Sequence, residues 1–181
     1  MPDEITIESY QPEWPLRFQR IAQLLRAELG ETAVRIDHIG STSVPGLAAK
    51  PIIDIQISVR SFEPFEAIRL PLERCGFRWR SDNPDLTKRY FREGPGMART
   101  HIHVRREGSW SEQLALLFRD YLRCHEEERL AYAECKIRLA ERYRDDRHGY
   151  VEAKRPFIWS MMQKADQWSQ MVGWMPGERD A

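Results

Sequence analysis

The chain has 181 residues, 41% of them apolar and 31% charged, which is the balance of a soluble globular protein long enough for one substantial core. Lys plus Arg and Asp plus Glu are equal at 28 each, so the formal net charge is zero and no global field draws the chain to nucleic acid or to an anionic membrane. No apolar run approaches the length of about 18 residues that a transmembrane helix needs.

The opening residues Met1-Pro2-Asp3-Glu4 are acidic and carry no apolar h-region, so no signal peptide is expected. Cys75, Cys124 and Cys135 form no close pairing pattern, and an odd, sparse count fits reduced, structural thiols in a cytoplasmic protein.

Ile5, Ile7 and Tyr10 open a short extended segment. A helix follows from Gln11-Pro12-Glu13-Trp14-Pro15, with Phe18, Ile21, Leu25 and Leu29 at helical spacing and Gly30 as its stop. Val34 to Ile39 alternates as a strand and runs into the turn-rich Gly40-Ser41-Thr42-Ser43-Val44-Pro45-Gly46. The next strand, Pro51 to Val59, puts Ile53, Ile55, Ile57 and Val59 on one face. Its other face holds Ile52, Asp54, Gln56 and Ser58.

Ser61 to Cys75 reads as a helix with Ser61 as N-cap and Gly76 as stop. Three further strands are expected at Phe77 to Arg80, Lys88 to Arg92 and Arg99 to Arg105. Helices take over from Ser109, which forms a capping-box pattern with Glu112. Trp110, Leu114, Leu117, Phe118, Tyr121 and Leu122 make one apolar stripe, and Leu130, Ala133, Ile137 and Ala140 a second. A third helix carries Phe157, Met161, Ala165 and Trp168, with Pro156 expected to start or kink it. Trp110, Trp159 and Trp168 read as packing residues, and no basic-aromatic stripe for nucleic acid is present.

The expected fold is α+β: a mixed β-sheet flanked by helices, with C-terminal helices. One domain is expected over residues 1–172, its sheet part about 1–107 and its helical part about 108–172, followed by a flexible tail at 173–181.

The chemistry concentrates where a strand meets a Gly-Ser turn and a second strand bears a carboxylate. Such a turn offers backbone amides and a hydroxyl to a phosphate oxygen, and the carboxylate can hold a cation that bridges phosphates. Gly40, Ser41, Thr42 and Ser43 supply the turn and Asp54 the carboxylate. His101 and His103 share a strand face, as Asp54 and Gln56 do. If those strands are neighbours the four polar side chains converge, and Asp with two imidazoles suits Zn²⁺, Mn²⁺ or Fe²⁺ better than Mg²⁺.

His38 either binds substrate or bonds a backbone carbonyl, and both readings stay open. Lys50 precedes Asp54 closely enough to pair with a phosphate, and Arg89 lies on a strand near the histidines; each also reads as a solvated cation. Tyr150 and Lys154 are i, i+4 and share a helix face, either closing the site or facing solvent. Arg119 and Asp120 read as ion-pairing groups at a helix–sheet interface.

The stretch from His38 to Ile55, HIGSTSVPGLAAKPIIDI, resembles the signature of the GrpB family. His101-Ile102-His103-Val104, then Leu117 to Arg123, and Tyr150, Lys154 and Phe157-Ile158 are similar to its later motifs, so the resemblance runs roughly from Ile7 to Trp159. Similar domains occur fused behind dephospho-CoA kinases, but no GxxxxGK[ST] P-loop is present here.

The resemblance implies a nucleotidyltransferase-like fold, in which Gly-Ser is followed by Asp-x-Asp or Asp-x-Glu on a strand. Gly40, Ser41 and Asp54 match, but the second carboxylate position is Gln56, a neutral ligand that cannot bridge two dications. With the two histidines on a shared strand face compensating for Gln56, a divalent metal (Mg, Mn or Zn) is expected at Asp54, His101 and His103, the same three being the catalytic candidates. Phosphate binding falls to His38, Gly40 to Ser43, Lys50, Arg89 and Lys154. The expected activity is nucleotidyl or phosphoryl transfer, and the alternative is a module that binds a nucleotide or phosphate-bearing ligand without turnover. A chaperone-like role has no support, since neither a long coiled coil nor an apolar groove is evident.

Overall fold

The computed structural model describes residues 4–181, so Met1-Pro2-Asp3 of the acidic opening lie outside the described residues. Helix α1 (Glu13–Leu29) leads into β1 (Arg35–Ile39), a short 3₁₀ turn (Ser41–Ser43) and β2 (Ile53–Val59). Then come α2 (Glu66–Arg74), β3 (Phe77–Trp79), β4 (Lys88–Glu93) and β5 (Thr100–Arg106). Helices α3 (Trp110–Cys124), α4 (Glu126–Arg142) and α5 (Arg147–Val172) complete the chain. The strand order is β1-β2-β5-β4-β3, with β2 and β5 parallel and the other pairs antiparallel. The result is a mixed five-stranded sheet with α-helices, as the residue patterns predict.

Period-two alternation divides the sheet chemically. One face carries Ile36, Ile53, Ile55, Ile57, Val59, Phe91, Ile102 and Val104, and α1 and α2 bury it with Phe18, Leu25, Ile68 and Leu72. The opposite face is polar, and part of it lies under α3. There Gln56, Ser58 and Glu112 are fully buried, so each must find a partner. Gln56 donates to the Glu112 carbonyl at 3.2 Å and accepts from Arg105 at 2.7 Å, while Ser58 donates to the Glu112 carboxylate at 2.5 Å. This network fixes α3 on the sheet. A second apolar cluster, with Val44, Leu47, Leu117, Tyr121, Tyr132 and Met161, joins α3, α4 and α5 to the loop between β1 and β2.

Several local expectations are corrected. Ser61 caps no helix: its hydroxyl accepts from the Glu63 amide in a turn, and α2 begins only at Glu66. Ser109 precedes α3, but no side chain caps that helix; the Glu112 carboxylate bends inward to Ser58 and the Gly108 amide. Pro156 does not start α5 but lies inside it. Trp110 and Trp159 are not core residues, being 74% and 57% exposed. The buried face of α4 is Tyr132, Cys135, Lys136 and Ala140, whereas Leu130 and Ile137 are exposed. Residues after 173 do not hang free. The Asp180 carboxylate accepts from the His38 amide and from Arg119, both at 2.9 Å, and Ala181 donates to the Ile36 carbonyl. The segment therefore covers the outer edge of β1, where an open ladder would expose unpaired backbone groups. Arg119 also lies 3.7 Å from Asp37, so it serves the helix–sheet interface as expected.

Candidate functional site

The parallel register of β2 and β5 sets Asp54 beside His101 and Gln56 beside His103. All four point to the polar face, because partners in register share a face. His101 Nδ1 lies 3.1 Å and His103 Nε2 3.5 Å from the same oxygen, Asp54 Oδ1. One ligand atom from each of the three side chains lies within 4.8 Å of the others. The remaining ring nitrogens, His101 Nε2 and His103 Nδ1, are buried without a hydrogen-bond partner among the described residues. Buried nitrogens of this kind are unusual and ask for an explanation.

Burial acts to raise the Asp54 pKa, but hydrogen bonds from His101 and His103 outweigh it and hold the carboxyl well below the usual range. Burial pushes His103 down to about 4, against the pull of Asp54. At neutral pH the pair is therefore a carboxylate beside a neutral imidazole, the protonation states a metal ion requires. Gln56 cannot join them, since its amide is spent on Glu112 and Arg105.

Gly40 determines how closely the turn approaches this cluster. Its φ is +71°, and a Cβ there would lie 2.7 Å from Asp54 Oδ2. Gly40→Ala is expected to lower stability by at least about 2 kcal/mol, because strain and clash coincide. Urea denaturation checks this, and an unchanged midpoint would contradict it.

Asp54 and His101 form the floor of a cavity of about 240 Å³. Ser41 and Thr42 line one side, Lys50 another, and Lys136, Arg147, Tyr150 and Lys154 close it from α4 and α5. Lys136 is only 2% exposed, and its ammonium donates to the Ala48 carbonyl. Burial, with Lys154 nearby, lowers its pKa to about 7. Burial followed by Lys154, Arg147 and Arg99 lowers Lys50 to about 8, and burial also lowers Lys154. The Tyr150 ring supports both outer lysines, Lys50 Nζ lying 4.1 Å and Lys154 Nζ 5.1 Å from its centroid.

The structure brings Asp54, His101, Ser41, Thr42, Lys50 and Lys154 to one cavity, with His103 and Gly40 directly behind Asp54. Arg89 is not among them. It is on the opposite face of β4, with its guanidinium 4.2 Å from the Phe62 ring centroid. Nor does His38 reach the cavity: it stacks on Phe18 at 4.8 Å and is buried. The Thr42 hydroxyl has one proton and gives it to the Ile52 carbonyl at 3.0 Å, so it must accept from His38 Nε2 at 3.0 Å. Burial lowers His38 to about 3, so it holds the turn as a neutral ring. The Ser43 hydroxyl is likewise spent on the Gly40 carbonyl at 2.6 Å.

Lys136, Arg147 and Tyr90 were missed as site residues. Tyr90, in register with His103, packs on both histidine rings at 5.7 and 5.2 Å. Alternation along β4 was the available signal, because Arg89 shares its face with apolar Phe91. Lys136 had none, as a lysine amid charged helix residues looks solvated.

Fold and site together define a class: a mixed α+β protein whose sheet presents a metal-capable Asp-His-His cluster to a cation-lined cavity. The chain belongs to the GrpB family, whose model, described as GrpB protein, matches residues 4–164. It is 37% identical over 163 residues to a UPF0157 protein of Halalkalibacterium halodurans, covering 90% of this chain and 83% of that one. It is 33% identical to a UPF0157 protein of Bacillus subtilis and 34% identical to a dephospho-CoA kinase of Mycolicibacterium paratuberculosis. Those matches cover 92% and 91% of this chain but only 49% and 47% of the relatives, so the chain spans about half their length. The crystal structure of conserved protein GrpB from Enterococcus faecalis superposes with a TM-score of 0.82 at 33% identity, covering 90% of this chain and 99% of that one. No described helix is long and apolar enough to cross a membrane.

Proposed function

We propose that this protein binds one divalent transition metal at Asp54, His101 and His103 and presents it to a phosphate-bearing ligand, a nucleotide, for nucleotidyl or phosphoryl transfer. The observation that carries the reading is the opening of that cluster into the same cavity as Ser41, Lys50, Lys136 and Lys154. The donor set fits such an ion. Two imidazoles and a carboxylate favour Zn²⁺ or Mn²⁺ over Mg²⁺, and one ligand atom from each side chain lies within 4.8 Å of the others. A bound ion would supply positive charge against a phosphoryl oxygen. The chain's own residues then orient and shield the ligand. The lysines hold its phosphates, the Gly40–Ser41 turn abuts the carboxylate, and the α4 and α5 side chains restrict water.

A second reading, binding without turnover, is favoured by one observation. Gln56 is locked into the α3 interface, which leaves a single carboxylate where two-metal transfer enzymes place at least two. The protein stripped with EDTA and reloaded with Zn²⁺, Mn²⁺ or Mg²⁺ would be incubated with ATP, GTP, CTP and UTP. Metal-dependent release of phosphate or pyrophosphate supports transfer. Saturable nucleotide binding without product supports the module, and absence of both metal and nucleotide binding contradicts both readings.

A further inference from the structure

Among the described residues the cavity holds four cationic side chains, Lys50, Lys136, Arg147 and Lys154, against the one carboxylate of Asp54. None of the four makes an ion pair among the described residues. Lys136 is the most telling, because it is almost fully buried yet its hydrogen-bond partner is a neutral carbonyl. Moving an ammonium out of water with no counter-charge is costly, and a protein rarely keeps one without use for it. Four cations less one carboxylate leave an excess of three, more than a single orthophosphate dianion offsets, and no described side chain supplies the balance.

The same walls offer little to anything but phosphate. A cavity of about 240 Å³ is smaller than the roughly 300 Å³ at which pockets for drug-sized ligands begin. Apart from His101, which belongs to the metal-capable cluster, Tyr150 is the aromatic ring lining the cavity among the described residues, but it is 1% exposed and its ring carries Lys50 and Lys154, so no base can stack on it. Among the described residues no Asn or Gln lines the cavity to read a base edge.

Resting on the proposed function, we infer that the cavity binds an oligophosphate of two or more linked phosphates through those phosphates alone, so that a free oligophosphate and the tail of any nucleotide are equivalent ligands. Lys136, Lys50 and Lys154 are the specificity-determining groups, and a nucleoside part would lie outside the cavity.

The test is calorimetric titration of the Mn²⁺-loaded full chain with orthophosphate, pyrophosphate, tripolyphosphate, ATP, CTP and adenosine. Pyrophosphate and tripolyphosphate are expected to bind within about tenfold of ATP, a difference of about 1.4 kcal/mol at most. ATP and CTP should agree within about threefold, orthophosphate should bind at least about tenfold more weakly, and adenosine not measurably. Lys136→Met and Lys154→Met should each weaken all the oligophosphates by about tenfold or more while leaving Mn²⁺ affinity unchanged. A preference above about tenfold for ATP over both CTP and tripolyphosphate would overturn this inference and leave the nucleotide reading standing. Equal binding of orthophosphate and pyrophosphate would also overturn it. Failure of every phosphate compound and of Mn²⁺ would instead remove the proposed function beneath it.

Discussion

Asp54→Asn is expected to leave the fold intact and to reduce the affinity for Zn²⁺ or Mn²⁺ by at least about 100-fold. Outer groups that merely orient metal ligands are worth about 10- to 100-fold in affinity, so the anionic member of the set is worth no less. Asparagine keeps the size of aspartate and an oxygen that can still accept from His101 and His103, at 3.1 and 3.5 Å in the native chain. It removes the charge and turns the second oxygen into an amide donor. Unfolding in urea should therefore move by no more than about 3 kcal/mol, the upper scale of a hydrogen bond to a charged group. Calorimetric metal titration of both EDTA-treated proteins checks the affinity. Affinities within threefold of each other would mean that the cluster is a hydrogen-bonded structural feature.

The second large effect is expected at Lys136, where stability and ligand binding oppose each other. Burial holds its pKa near 7, against about 10.5 in an unfolded chain. Between those values the unfolded chain binds a proton that the folded chain does not, so native stability rises with pH across that window. The penalty is complete below about pH 7 and vanishes above about 10.5. Lys136→Met removes it, at the loss of the cation–π contact with the Tyr132 ring and of the donor to the Ala48 carbonyl. The net expectation at pH 7 is a gain of about 1–3 kcal/mol, since replacing buried charges with apolar side chains stabilises by about 1–4 kcal/mol. The advantage should shrink steadily between pH 7 and 10, and the oligophosphate affinity should fall at the same time. Chemical denaturation at several pH values tests the stability. A variant less stable than wild type at pH 7, or an advantage that grows with pH, would contradict a charge held without a partner.

Much of this site was legible before any coordinates. Alternation in β2 separated Ile53, Ile55 and Ile57 from Asp54 and Gln56, and the same period put His101 and His103 together. Sequence could not supply the pairing of two strands separated by α2, β3 and β4. That pairing is decided by long-range packing, and it alone turns two polar faces into one cluster. Charge alone makes Arg89 a phosphate candidate, but its period puts it with Phe91 on the core side of the sheet. The tail was misjudged for a different reason. Its proline, glycine and charges describe a segment without internal structure, yet Asp180 finds Arg119 and the His38 amide on the rest of the fold. Trp110 and Trp159 fit an apolar stripe by spacing, but nothing in the described chain packs over them. Contrary to the expectation that no apolar groove exists, they line one with Leu114, Met162 and Trp174.

Crystals of the protein loaded with Zn²⁺ and pyrophosphate, measured on both sides of the zinc absorption edge, would locate the ion without assumption. The expected result is one strong anomalous peak among Asp54, His101 and His103, with phosphate density extending toward Lys50, Lys136 and Lys154. Zinc bound at other residues while those three side chains remain hydrogen-bonded only to one another would contradict it.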